Sequence, residues 1–140
     1  MNRFAEIMLR WEQLLNADEE LQERNRSTYS TIEGRTVIEL IVGDQPSYRV
    51  EVKDGKFKVS TGAAEKPLLR WKMPNKIFSE VIQRKHQLLY SMLDPEAELT
   101  FDTPHFTHWN GATIIEMLLL ASEMTIQNPD IQELVQQMEC

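Results

Sequence analysis

Val50-Glu51-Val52-Lys53-Asp54-Gly55-Lys56-Phe57-Lys58-Val59 is the stretch on which the fold turns. On both sides of Asp54-Gly55, apolar and charged residues alternate with a period of two, the pattern of paired strands with one covered face. Asp-Gly is the preferred two-residue hairpin loop, because Gly tolerates the positive φ that a type I′ turn requires. With these two residues as the loop, Val52 opposes Phe57 and Val50 opposes Val59 on one face, while Glu51 opposes Lys58 on the other. A slip of one residue would mix apolar with charged partners, so the sequence specifies the register.

Upstream, residues 36–42 are mostly β-branched and apolar, which fits a strand covered on both sides. Gly43-Asp44-Gln45-Pro46 then forms a turn. Downstream, Leu69, Trp71 and Met73 alternate with Arg70 and Lys72 until Pro74 stops the strand. Asn75 is the expected cap of a helix carrying Ile77, Phe78, Val81 and Ile82. A second apolar set, Leu88, Leu89, Met92 and Leu93, continues or restarts that helix before Asp94-Pro95. Ala97, Leu99 and Phe101 mark a further strand, which the 104–109 segment either lengthens or leaves as a loop.

The remaining segments are helical. Phe4, Ile7, Met8, Trp11, Leu14 and Leu15 make the apolar stripe of an N-terminal helix, and Asp18 is placed to cap a short piece anchored by Leu21. Thr113 and Glu116 stand at capping-box spacing, which predicts a helix beginning after Gly111. The apolar residues that follow, through Met124, cover far more than one stripe. Asn128-Pro129 supplies a cap and a proline at the first helical position for Ile131, Leu134, Val135 and Met138. Helices against a largely antiparallel sheet define an α+β class. With no repeat or linker, one domain is expected over 1–140: an N-terminal helix at 3–16, sheet and central helices at 35–110, and C-terminal helices at 112–138.

The 140 residues carry 22 acidic and 15 basic side chains, a formal charge of -7. With no clustering of basic residues onto one face evident, that balance argues against a nucleic-acid partner. The single cysteine, Cys140, excludes an internal disulfide framework. No apolar run approaches the roughly 20 residues of a membrane span, and Glu6, Arg10 and Glu12 interrupt any signal-peptide core. A soluble, cytoplasmic protein is expected. Lys53, Lys56 and Lys58 with Arg49 make the hairpin locally basic, as do Arg70, Lys72 and Lys76 farther on. Such alternation is the solvated face of a sheet, or a surface for transient contact with an acidic membrane.

No catalytic constellation emerges. The five glycines never cluster into a phosphate-binding loop, and no Ser lies in a Gly-x-Ser-x-Gly elbow. His105 and His108 would share a face on a helix but point to opposite faces of a strand, and Pro104 favours strand or loop. A metal is therefore not expected there. The apolar content invites two uses. A broad apolar helix facing aromatic-rich strands would line an internal tunnel, with the C-terminal helices as its lid; equally, the same surplus would form a dimer interface.

The order of elements from Arg35 to Met124 resembles the sterol carrier protein-2-like family, the small domains also called SCP2 sterol-binding domains. The resemblance rests on the strands around Gly43-Asp44, the 50–57 hairpin, the 69–73 strand leading into the 77–82 helix, a strand like 97–101, and a last amphipathic helix like 113–124. It implies a five-stranded sheet covered by helices, with an apolar cavity that takes fatty acyl chains, sterols or other hydrophobic molecules. No cofactor and no bond chemistry are implied. The chain departs from the family's Gly-rich stretch before the last strand and lacks a peroxisomal Ser-Lys-Leu ending. Residues with inward phase are the expected walls: Val50, Phe57, Trp71, Phe78, Leu89, Met92, Phe101, Trp109, Ile115, Leu118 and Met124. His105 and His108 are the candidates for contact with a polar head group.

Overall fold

The computed structural model describes residues 3–20, 22–23, 36–85, 94–101 and 108–138, with side chains in the last stretch from 115 onward. The described residues form the elements α1 (Arg3–Ala17), β1 (Thr36–Val42), β2 (Tyr48–Lys53), β3 (Lys56–Thr61), β4 (Leu69–Met73), α2 (Asn75–Ile82), β5 (Glu98–Phe101), α3 (His108–Gln127) and α4 (Pro129–Gln137). The sheet runs β3-β2-β1-β4-β5. Only β1 and β4 are parallel; the other pairs are antiparallel, so the expected α+β class with a largely antiparallel five-stranded sheet is what the chain adopts.

The hairpin has the register read from its alternation: Val52 faces Phe57, Val50 faces Val59 and Glu51 faces Lys58. Asp54 and Gly55 sit at φ 54° and 75°, the two positive values of a type I′ turn. The charge pairing differs from expectation. The Glu51 carboxylate lies 3.8 Å from Arg49 Nε and accepts a hydrogen bond from the Thr36 hydroxyl at 3.3 Å, leaving Lys58 out.

The helix-facing side of the sheet presents Ile38, Leu40, Tyr48, Val50, Val52, Phe57, Leu69 and Trp71, all buried. α1 lays its predicted stripe on this face, burying Phe4, Ile7, Met8, Trp11 and Leu15. It also packs against α4, and the contacts Arg10 to Asp130 at 3.0 Å and Arg3 to Gln137 at 2.5 Å run the two helices antiparallel. The Phe4 ring stands edge-on to both Tyr48 and Phe78. Burial pushes the Tyr48 phenol above its ordinary range.

β3 is an edge strand, and α1 occupies its outer edge. Asn16 Nδ2 donates to the Phe57 carbonyl at 2.7 Å, and its Oδ1 accepts from the Phe57 N–H at 2.8 Å. Glu12 accepts from the Val59 N–H at 2.6 Å. These side chains take the groups an edge strand would otherwise offer to another chain. Asn16→Ala is expected to cost about 1–2 kcal/mol in urea unfolding. It is also expected to speed exchange of the Phe57 amide selectively; unchanged exchange there would count against this role.

On the opposite face, the 62–68 connection from β3 to β4 passes over Glu39, which is 1% exposed despite its charge. Its carboxylate accepts from the Ala64 N–H at 2.6 Å and from Arg70 Nε, while Arg70 Nη2 donates to the Ala64 carbonyl at 2.8 Å. β1 is thus covered on both sides, as its composition suggests.

Several boundaries differ from expectation. Asn75 is the first residue of α2, not its cap; Pro74 holds the cap position without a side-chain bond. Asn75 Oδ1 instead lies buried against the position a Cβ on Gly43 would take, and that close approach together with a φ of +56° favours glycine there. α2 does not run on past Ile82. Lys85 N–H bonds to the Glu80 carbonyl and Arg84 N–H to that of Val81, a Schellman closure with Arg84 at φ 58° where glycine is usual. Arg84 Nε donates to Ser122 Oγ at 3.0 Å, tying this closure to α3. α3 itself starts at His108, so Thr113 and Glu116 lie inside it; a capping preference of about 1 kcal/mol yields to tertiary packing. The 104–109 segment does not lengthen the strand as far as His108. Asn128 takes the cap position of α4, but its amide donates back to the Met124 carbonyl at 2.7 Å.

Candidate ligand site

Between the sheet and the helices lies an apolar cleft. Its floor is Ile38 and Leu40 of β1, Val50 of β2, and Phe57 and Val59 of β3. Met8, Trp11, Glu12 and Leu15 of α1 form one wall, and Met117, Leu118 and Ala121 of α3 the other. The alternation of the strands and the i, i+3, i+4 spacing on α1 place these side chains inward.

The polar side chains of the lining are hydrogen-bonded within the protein. Glu12 is held by the Val59 N–H. Trp11 Nε1 donates to Thr125 Oγ1 at 3.0 Å, and that hydroxyl donates on to the Ala121 carbonyl at 2.9 Å. The cleft offers contact and desolvation to an apolar group. Its volume is about 50 Å³, room for one or two waters, whereas pockets that enclose small molecules are typically ~300–1,000 Å³. Among the described residues, no group of three His, Cys, Asp or Glu side chains is placed to hold a metal ion.

Of the wall residues expected from sequence, Val50, Phe57 and Leu118 meet at this cleft. Phe78 is buried beside it, its ring against Phe4 and Trp11. Trp71 is 1% exposed in β4, in register with Leu40 and Leu99, and its indole N–H has no acceptor among the described residues. Ile115 and Met124 are half-buried on α3. Phe101 is 38% exposed on the edge strand β5. Leu89, Met92 and His105 lie outside the described residues; His108 and Trp109 are placed only as the first turn of α3.

Sequence phase alone does not mark the α1 wall, Met8, Trp11, Glu12 and Leu15, as part of the site, nor Ile38, Leu40, Val59, Met117 and Ala121. The α1 stripe was visible, but periodicity marks a face as buried without telling whether it meets a solid core or a void.

Helices layered on one side of a mixed, mostly antiparallel sheet, with an apolar cleft between the layers, define a two-layer α+β architecture. The chain has the sterol carrier protein 2 fold. The sterol carrier protein domain 2 of Helicoverpa armigera matches with a TM-score of 0.61 at 15% identity, covering 87% of this chain and 90% of that one. The apo form of sterol carrier protein 2 from Yarrowia lipolytica matches at 0.55 and 12% identity, covering 80% and 86%. A ubiquinone synthesis protein, UbiJ-SCP2, matches at 0.52 and 16% identity, covering 84% and 89%. No protein-family model and no curated protein matches the sequence.

Proposed function

We propose that the protein binds or carries a hydrophobic small molecule, fatty acyl or sterol-like, between its sheet and helices, without bond chemistry and in the cytoplasm. The observation that carries this reading is the apolar cleft itself, at the junction of α1, α3 and the sheet. At about 50 Å³ it is closed to an acyl chain, so binding requires one wall to move. α3 is the wall suited to move: of its described apolar residues from 115 onward, only Met117, Leu118 and Ala121 are buried, while Leu119 is 47% and Ile126 40% exposed. Each methylene then buried contributes about 0.8 kcal/mol toward opening the cleft. Among the described residues, no helix is long and apolar enough to cross a membrane, and access from a membrane would be by transient surface contact. Leu89, Met92, Trp109, His105 and His108, whose side chains lie outside those described, remain part of the proposed site.

Titration with a long-chain fatty acid, read by native mass spectrometry, is expected to give a saturable one-to-one complex. Ala121→Leu fills the void from the α3 side and is expected to weaken that complex about tenfold or more, at a stability cost of about 1–3 kcal/mol. A protein that stays ligand-free throughout the titration refutes the carrier reading. The alternative is a homodimeric or partner-bound protein, favoured by the exposed Leu119, Ile126 and Phe101. A dilution series by light scattering separates the two, since a dimer with a filled core binds no fatty acid.

A further inference from the structure

The end of the β2–β3 hairpin holds a second concavity, of about 550 Å³, bordered by Asn16, Lys53, Asp54, Lys56, Phe57 and Lys58. It adjoins the apolar cleft through Phe57, which borders both. Its chemistry is the reverse of the cleft's. Three of the seven lysines of a chain carrying -7 fall within six residues here. All three are exposed, and none makes an ion pair among the described residues. Lys53 and Lys56 are moreover direct cross-strand partners, and like charges so placed destabilise a hairpin. Glu51, the acid opposite Lys58, is turned toward Arg49 and Thr36 instead. Among the described residues the carboxylate bordering the concavity is that of Asp54, leaving an excess of two positive charges.

A local rule broken without gain to the fold points to a use for the arrangement. We infer that the hairpin groove is an anion site, taking a phosphate or carboxylate head group against Lys53, Lys56 and Lys58. Charge and shape at the hairpin carry this inference, and it holds whether or not the apolar cleft takes a ligand. The head group is either that of a lipid in a membrane or that of a free small anion.

The sources are separated by two probes on the full chain. One is co-sedimentation with phosphatidylcholine vesicles containing or lacking phosphatidylserine; the other is inorganic phosphate followed by amide shifts over residues 53–58. Three lysines near an anionic surface are together worth about 100-fold in partitioning. The triple variant Lys53→Gln, Lys56→Gln, Lys58→Gln is expected to lose about that much binding. A charge-matched triple, Lys66→Gln, Lys72→Gln, Lys76→Gln, is expected to keep it. Asp54→Asn preserves the turn and is expected to strengthen binding about fivefold, an outcome that misfolding would not produce. Lysine-dependent binding to serine-lipid vesicles alone assigns the site to a lipid head group, and lysine-dependent phosphate shifts assign it to a free anion. Binding to neither probe, or equal loss in both triples, overturns the inference.

Discussion

Phe4→Ala is expected to lower the unfolding free energy by about 4 kcal/mol and the melting temperature by roughly 12 °C. Phe4 is fully buried. Its ring centroid lies 5.1 Å from that of Tyr48 and 5.3 Å from that of Phe78, with interplanar angles of 87° and 90°. Edge-to-face pairs of this kind contribute about 0.5–1.5 kcal/mol each beyond the area they bury. The site joins three elements, α1, β2 and α2, so the cavity left behind cannot collapse from one side alone. Because α1 is one wall of the cleft, its loosening is also expected to raise fatty-acid off-rates. Leu119→Ala, an equally apolar truncation on the exposed side of α3, is expected to change stability by less than about 0.5 kcal/mol. Thermal and urea unfolding of the two variants check the contrast; comparable losses in both would show that α3 is as deeply seated as α1.

Arg70→Met is expected to cost about 3 kcal/mol. Arg70 is itself partly exposed, with 37% of its side chain accessible, but Glu39 beneath it is 1% exposed. Removing the guanidinium leaves that carboxylate inside the protein with the Ala64 N–H as its remaining donor among the described residues and frees the Ala64 carbonyl as well. The penalty is the uncompensated buried charge and not the intrinsic worth of the pair. Glu39→Leu combined with Arg70→Met is therefore expected to recover at least half of the loss, and a double-mutant cycle in urea measures it. No recovery would mean that the pair acts through the position of the 62–68 connection and not through its charge.

Local patterns were legible where one short-range preference governed. The hairpin followed from Asp54-Gly55 and strict alternation, and the α1 and α4 stripes from helical spacing. They failed where tertiary contacts outweighed a local signal. Asn75 had the chemistry of a cap, but its side chain lies under Gly43. Thr113 and Glu116 had capping-box spacing, yet α3 begins five residues before Thr113. Glu51 and Lys58 are opposite one another as expected, but the carboxylate turns toward Arg49 and Thr36, on the side where β1 lies. The cleft shows the same division. Inward phase marks Val50, Phe57 and Leu118, whereas for the α1 residues facing them it marks burial without distinguishing a wall from a solid core.

By itself the sequence determined the elements, the hairpin register, the α+β class and which faces are apolar, because these depend on contacts between residues near in the chain and on a period of two or 3.6. Tertiary structure alone decided that β1 pairs in parallel with β4, that Glu39 is buried under the 62–68 connection, that α1 closes the edge of β3, and that the void is about 50 Å³. Those outcomes depend on how side chains from distant segments fill shared space, and a gap of one or two methylenes between packed layers leaves no trace in the order of residues.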